Sequence, residues 1–193
     1  MKNIKLSHFP AFYFGALDFS SLKLYAISTI LAIGNILLVF LSHYIYIGNT
    51  VAGKVILPLY FFTLVGTYYF GARAGFLTAF FSLIASRILA HMPADPVLFP
   101  VTLKLLFLIA FTSFIARETG KPTLSRLVYI VAGYQLAGTL IGLLFHGNLS
   151  FSDYPTAVPG LLLQVFGGYV VLNILYATTK LRGDQNPLQG DRD

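Results

Sequence analysis

Charged residues are scarce in this 193-residue sequence, of which they make up 10%, whereas an ordinary soluble domain carries about 25%. The sequence has 13 Lys+Arg and 7 Asp+Glu against 18 Phe and 12 Tyr. A soluble monomer with so few charges and so many aromatic residues would aggregate. The mean hydropathy of +0.76 and the long runs without charge instead predict a polytopic membrane protein.

Cysteine is absent altogether. Its absence excludes disulfides, iron–sulfur clusters, thiolate zinc sites and thiol nucleophiles. The formal net charge of +6 does not indicate a nucleic-acid partner, because the cations stand singly between apolar stretches and form no stripe. They are better interpreted as determinants of membrane topology.

Six apolar runs are long enough to cross a bilayer, which takes about 20 helical residues. They predict an all-α membrane protein with six transmembrane helices in a compact bundle over residues 22–180. The predicted spans are Leu22–Tyr46, Val51–Phe70, Ala74–His91, Val101–Ala116, Leu127–His146 and Val158–Thr178. Glycine and proline are expected to stop the helices between spans. The prolines assigned to these connections are Pro93, Pro96, Pro100, Pro155 and Pro159.

Lysine and arginine outside the spans predict the orientation, because cytoplasmic loops hold an excess of them. Ten of the 13 fall on one face of the predicted bundle, so both termini are expected in the cytoplasm. Residues 1–21 are aromatic but interrupted by His8, Pro10 and Asp18, which predicts an interfacial arm that stays on the mature protein. The polar residues 181–193 predict a disordered cytoplasmic tail.

Two cations are assigned to no loop, Arg87 near the outer end of the third span and Lys104 near the outer end of the fourth. A cation at mid-bilayer costs about 2.5–3.5 kcal/mol on insertion scales, and less near the surface. One explanation is that the two bind an anionic ligand. The alternative is that they extend to the surface, or that one of them pairs with Asp95.

Three histidines, His43, His91 and His146, are expected at the outer ends of the odd-numbered spans. They could bind substrate, and a metal or a metal-bearing ligand is a further option, although interfacial histidine is common and no resident cofactor is predicted. Gln164, one turn into the sixth span, and Asn148 in the outer loop could add hydrogen bonds to a ligand. The outer end is therefore the expected substrate site.

No Asp or Glu lies inside a predicted span, and proton- or sodium-driven carriers typically have a carboxylate at mid-membrane. A glycine-rich phosphate-binding loop with its lysine is also missing, so the chain does not hydrolyse ATP by that mechanism. No arrangement of side chains typical of catalysis stands out, and we predict that the chain is not an enzyme. The polar residues deeper in the spans, Asn35, Gln135 and Asn173, are expected to join helices to one another.

Small residues mark two possible packing faces. Gly138 and Gly142 form a GxxxG step on the fifth helix, which permits close helix approach. Ser28 and Ala32 form a similar pair on the first helix, as an internal packing ridge or as a docking face for another membrane subunit.

The stretch from Ile56 to Ala79 contains Pro58 at the start of the second span and the turn Gly71-Ala72-Arg73-Ala74-Gly75 before the third. It resembles the second and third helices of substrate-binding (S) components of energy-coupling factor (ECF) transporters, in which a proline opens helix two and a Gly-x-(Arg/Lys)-x-Gly turn leads into helix three. The length, the six spans and the cytoplasmic termini also fit that family.

The resemblance implies a protein of the prokaryotic cytoplasmic membrane that captures a vitamin or related micronutrient at its outer end. A transmembrane coupling subunit and two cytoplasmic ATPases would drive release. The family carries an Ala-x-x-x-Ala step against the coupling subunit, to which Ser28-x-x-x-Ala32 is the nearest match here. The alternative is a polytopic scaffold without a ligand, similar to the small membrane proteins of the cell-shape machinery.

Overall fold

The computed structural model describes residues 19–44, 46–47, 50–51, 58–90, 93, 95–118, 121–146 and 154–184. Apart from one pair of two-residue strands, the regular structure in these ranges is helical. In chain order the elements are α1 (Leu22–Tyr44), β1 (Tyr46–Ile47), β2 (Thr50–Val51), α2 (Pro58–Phe70), α3 (Ala72–Ala90), α4 (Asp95–Glu118), α5 (Leu124–His146), α6 (Tyr154–Leu162), a π-helical turn (Leu163–Gly167) and α7 (Gly168–Asp184). The last three follow one another without a break, so the described chain has six helical segments.

Four of these segments are long and apolar enough to cross a membrane: Leu22–Ser42 in α1, Ala72–Leu89 in α3, Val97–Ala116 in α4 and Ala157–Thr179 in the last segment. Their outward faces carry large apolar side chains. Ile30 and Ile88 are each 68% exposed, and Phe114 is 66% exposed. Apolar surface of this extent requires an apolar surrounding, so the fold is compatible with a multi-pass membrane protein.

The second helical segment differs from its predicted bounds. Val51 lies in β2, which pairs antiparallel with β1, and α2 begins only at Pro58. Proline suits the first helical position because its fixed φ matches the helix and it lacks an N–H that would have no partner there. The resulting helix has 13 residues and is about 20 Å long, which is shorter than a bilayer core.

Four prolines assigned to connections lie inside helices instead, and for them the sequence-based prediction is wrong. Pro96 and Pro155 are the second residues of α4 and α6, where backbone N–H groups have no intrahelical acceptor, so proline loses no bond. Pro100 and Pro159 lie deeper in the same helices. Each removes one backbone hydrogen bond without ending its helix.

The turn between α2 and α3 consists of a single residue, Gly71, at φ 93°. This left-handed conformation favours glycine, and the Gly71 N–H donates to the Thr67 carbonyl while the Gly75 N–H donates to the Gly71 carbonyl. A Cβ at Gly75 would collide with the side chain of Thr67. The two glycines of the motif therefore permit, respectively, the tight turn and the close packing of α2 on α3.

The centre of the bundle is α2, which packs against α1, α3, α4, the π-helical turn and α7. Ten of its 13 residues are buried. Tyr68 donates to the Lys121 carbonyl in the connection before α5, and Tyr69 donates to the Leu175 carbonyl of α7. These bonds tie the end of α2 to its neighbours. We call this end of the bundle the tail end, and the opposite end, where α1 reaches β1 and β2, the hairpin end.

A buried amide joins the first three helices. The Nδ2 of Asn35 on α1 lies 3.1 Å from the Leu59 carbonyl, 3.3 Å from Thr63 Oγ1 and 3.0 Å from Ser82 Oγ, and its Oδ1 accepts from the Phe62 N–H at 3.1 Å. We call this set the Asn35 network. Asn35 therefore joins helices, as expected for a polar residue inside a span.

The predicted terminal segments lie mostly outside the described residues. Of the predicted arm, Phe19 packs under the Arg73 guanidinium, with 5.3 Å between the guanidinium carbon and the ring centroid. Of the predicted tail 181–193, the first four residues continue α7 to Asp184, which extends the helical domain beyond residue 180.

Candidate functional site

A buried polar cluster joins α5 to the π-helical turn. The Tyr134 hydroxyl donates to Gln164 Oε1 at 2.7 Å, and Gln135 Nε2 lies 3.4 Å from the same hydroxyl. Tyr60 on α2 stacks on Tyr134 with ring centroids 5.5 Å apart and an interplanar angle of 15°. Tyr134 and Gln164 are both 0% exposed. We call Tyr60, Tyr134, Gln135 and Gln164 the Gln164 cluster.

Only one end of the Gln164 amide is hydrogen-bonded. Its Nε2 has no hydrogen-bond partner among the residues that the structure describes. If both glutamine amides are turned over, Gln164 Nε2 donates to the Tyr134 hydroxyl and that hydroxyl donates to Gln135 Oε1, but Gln164 Oε1 is then the buried atom without a partner. In either orientation one end of the Gln164 amide has no partner. A buried polar group without a partner costs about 1–3 kcal/mol. Retaining one in the core is explained if a ligand supplies the missing partner.

The backbone around Gln164 is irregular at this point. Gln164 is the second residue of the π-helical turn, and such turns occur frequently at functional sites. A Cβ at Gly167 would lie 3.0 Å from the Phe61 ring, and one at Gly168 would lie 3.2 Å from Leu64 Cδ2. The two glycines therefore allow the turn to lie directly against α2, which keeps Gln164 in the bundle interior.

The Gln164 cluster lies midway through the bundle. Tyr60 is about 15 Å from the tail end of α2, and Tyr134 is about 15 Å from the tail end of α5, at 1.5 Å per residue. Because α2 begins at Pro58, Tyr60 belongs to the first turn of this short central helix. The cluster is therefore level with the start of α2, where the hairpin-end half of the bundle begins.

Lys104 lies next to this cluster. A Cβ at Gly138 would be 2.5 Å from Lys104 Cγ and 2.8 Å from its Cε, so the lysine stem fills the space that a side chain at position 138 would occupy. Gly138 follows Tyr134 by four residues and shares its face of α5. Lys104 therefore crosses α5 about one turn, or about 6 Å, from Tyr134 toward the hairpin end. The glycine step predicted from the sequence accommodates a lysine here.

Arg87 is engaged elsewhere. Its Nη1 donates to the Pro93 carbonyl at 2.8 Å, in the connection between α3 and α4. That bond satisfies a backbone acceptor beyond the end of α3. The structure therefore gives Arg87 a part in closing this connection, whereas Lys104 packs against Gly138 of α5. A ligand contact of Arg87 stays a prediction.

Four other predicted site residues lie wholly or in part outside the described structure. His43 and His146 belong to the last turns of α1 and α5 at the hairpin end, and their side chains lie outside the described part of the structure. His91 and Asn148 lie outside the described residues. The substrate contacts predicted for all four, and the metal alternative for the histidines, stay predictions.

Ser28 and Ala32 point into the bundle. Ser28 is 0% exposed and its hydroxyl lies 3.4 Å from the Ala74 carbonyl of α3, while Ala32 is 2% exposed. Burial of this kind is what an internal packing ridge requires. A contact of this pair with a coupling subunit stays a prediction.

Tyr60, Tyr134 and Gln135 are the members of the cluster that sequence reasoning did not assign to a site; Gln135 was expected only to join helices. The sequence of an apolar span does not indicate which neighbouring residue the hydroxyl of a tyrosine will contact. The available signal was the adjacent pair Tyr134-Gln135 at the middle of α5, because two consecutive polar side chains at that depth both need partners.

The chain matches no protein-family model, no curated protein and no solved structure.

Proposed function

We propose that the chain is the membrane-embedded substrate-binding component of an importer of the energy-coupling factor type. It binds a vitamin or related micronutrient and depends on a separate coupling subunit and two ATPases for uptake. It is a binding protein and not an enzyme. The observation that carries the proposal is the enclosed Gln164 amide, one end of which bonds to Tyr134 while the other has no hydrogen-bond partner within the described part of the chain.

The proposed topology has six spans with both termini in the cytoplasm. Four segments have the length and composition for crossing, and α5, with 23 residues, is long enough as well. The short α2 is enclosed by its neighbours, so it need not span the lipid by itself. The tail end then faces the cytoplasm, in agreement with the exposed cations Lys23, Arg73 and Lys121 at that end.

In this orientation the hairpin end faces outward and the substrate enters there. It reaches the level of Tyr60, where α2 begins and the half-used amide lies. The Gly71–Gly75 turn, which carries the resemblance to the S components, lies at the opposite, cytoplasmic end. Substrate capture and contact with the energising subunits are thus separated along the bundle by about 15 Å of α2.

The first test is co-purification of a small molecule. The full chain is purified in mild detergent from cells grown in rich medium, denatured by heat, and its released compounds are identified by mass spectrometry. We expect one compound at close to one per chain. A chain that releases nothing above the level of an unrelated membrane protein would contradict substrate binding.

The second test concerns partners. The tagged chain is recovered from its native membrane and its companions are quantified by mass spectrometry. Two ATPases and one polytopic subunit are expected. Recovery of cell-wall synthesis or cytoskeletal proteins in their place, together with an absence of bound compound, would identify the chain as a scaffold.

A further inference from the structure

The outward face of α3 combines two aromatic rings with a cation at its tail end. Phe76 and Phe80 are each nearly half exposed, and their rings stack with centroids 6.4 Å apart and an interplanar angle of 10°. Arg73, which is also exposed, precedes Phe76 by three residues and Phe80 by seven, so the three share one face of the helix. We call Arg73, Phe76 and Phe80 the α3 strip.

The α3 strip leads into an open groove of about 410 Å³ on the same helix. The residues that line the groove are all apolar: Phe81, Ile84, Ala85, Ile88 and Leu89. Ile84 and Ile88 continue the four-residue spacing of the two rings toward the hairpin end. A hydrocarbon chain that lies on the strip therefore meets the groove further along α3.

The tail end keeps a positive charge whichever ion pairs form there. The predicted topology assigns ten of the 13 Lys+Arg to this end, against five acids: Asp18, Glu118, Asp184, Asp191 and Asp193. Even if every acid pairs with one cation, an excess of five positive charges is left. The contact of Arg73 with the Phe19 ring does not change the charge of the guanidinium. An anionic group is therefore the complementary partner at the tail end of the strip.

The α3 strip has the length of one leaflet of a bilayer. Half of a hydrocarbon core about 30 Å thick is about 15 Å, which corresponds to about ten residues of helix. Counted from Arg73 toward the hairpin end, that distance passes Phe80 and reaches the level of Phe81 and Ile84 in the groove. A lipid with its headgroup at Arg73 would therefore lie along the strip and end in the groove.

We infer that the α3 strip binds one anionic phospholipid of the tail-end leaflet. Its phosphate lies at Arg73, and one acyl chain lies over Phe76 and Phe80 and ends in the groove. The inference goes beyond the proposed function. It requires that the bundle is embedded in a bilayer, and it does not depend on what the bundle binds or transports.

The test uses the full chain purified in mild detergent and two phospholipids with identical oleoyl chains, phosphatidylglycerol and phosphatidylcholine. The lipids bound to each chain are counted by native mass spectrometry during a titration. We expect the first phosphatidylglycerol to bind about fivefold more tightly than phosphatidylcholine, because a cation near the membrane surface attracts an anionic lipid by about that factor. A high salt concentration should reduce this preference, since it screens exposed charges.

Arg73→Gln should abolish the preference for phosphatidylglycerol, and Arg73→Lys should retain it. The matched control is Lys121→Gln, which removes one exposed charge at the same end and should leave the preference unchanged. Phe80→Ala should weaken the binding of both lipids, because it removes apolar contact area. Phe114→Ala, which removes an exposed ring from α4, should not weaken it.

Equal binding of the two lipids by the wild type would overturn the inference. An equal loss of preference in Arg73→Gln and Lys121→Gln would also overturn it, because the charge of the whole end would then select the lipid. If Phe80→Ala loses the polytopic companion and binds lipid as the wild type does, that companion and not a lipid covers the strip. If Arg73→Gln does not fold, the comparison of Phe80→Ala with Phe114→Ala decides. None of these results affects the release of a small molecule, so the inference and the proposed function can fail separately.

Discussion

Two buried amides, those of Asn35 on α1 and Gln164 in the π-helical turn, differ in how many of their hydrogen bonds are made. Asn35 has acceptors for its Nδ2 on three different residues and a backbone donor for its Oδ1. Gln164 has a partner for its Oε1, and its Nε2 has none within the described chain. Both side chains are 0% exposed.

The difference bears on the role of each amide. A polar network whose members are all satisfied makes a core rigid, and a half-satisfied one is costly. Selection for stability alone would favour replacing such a group by an apolar one of similar size. The Asn35 network is therefore a helix junction, whereas the proposed function assigns the half-satisfied Gln164 cluster to a ligand.

The largest effect is expected from Asn35→Leu. Leucine leaves the Phe62 N–H and the acceptors around Asn35 without their partner, and we expect a loss of about 3 kcal/mol of unfolding free energy. Denaturation in mixed micelles measures it. Asn173→Leu is the matched control, since the Asn173 side chain donates to the Tyr169 carbonyl one turn earlier in its own helix, α7. A loss above about 1 kcal/mol in Asn173→Leu would remove the contrast.

The next effect is that of Tyr134→Phe. Without the hydroxyl, Gln164 loses its one hydrogen bond and Gln135 loses a partner, so the unfolding free energy should fall by about 2 kcal/mol. The exposed Tyr129 on the same helix supplies the control, and Tyr129→Phe should change nothing. Equal stability of the two variants would mean that the Tyr134–Gln164 bond does not contribute.

Gly138→Ala should have a smaller effect. The added methyl meets the stem of Lys104 and forces that side chain aside, at a cost of about 1 kcal/mol. A double-mutant cycle isolates the contact. In the background of Lys104→Ala the same substitution should cost almost nothing, and an undiminished cost would show that Lys104 does not fill this space.

Gln164→Leu should change the unfolding free energy least, by less than about 1 kcal/mol, because it removes an unpaired donor together with one bond. The Gln135 amide can turn over and accept from the Tyr134 hydroxyl in its place. Thermal unfolding of Gln164→Leu and of Asn35→Leu, measured under the same conditions, compares the two losses directly. A loss as large as that of Asn35→Leu would make Gln164 a structural residue as well.

The elements differ in how well the sequence predicted them. The absence of charge over long runs predicted helices in all six places, because a backbone in lipid must satisfy its hydrogen bonds internally. Pro96 and Pro155 were assigned to connections because proline is a helix breaker in general, and their position within the first turn depends on where the backbone bends into the helix. The short α2 also depended on its neighbours, which enclose it.

The fold gives different surroundings to the residues that the sequence had placed in one site. Lys104 and Gln164 were among seven substrate-contact residues proposed from polarity alone. In the structure Gln164 accepts from Tyr134, and Lys104 packs against Gly138, one turn further along α5. Arg87 has the same charge as Lys104 but bonds to the Pro93 carbonyl. Sequence distance carries no information on this, since Tyr134 and Gln164 are 30 residues apart.

The sequence by itself determined the class of the protein, a helical bundle compatible with the membrane, because hydrophobicity is a property of composition and run length. Only the tertiary structure decided which face of each helix points inward. In a membrane both faces of a helix are apolar, one toward lipid and one toward its neighbours, so the hydrophobic pattern that orients a soluble helix is lost. Ser28 and Ala32 were for this reason open to two interpretations, and the pairing of Tyr134 with Gln164 appears only when α5 and the π-helical turn are packed together.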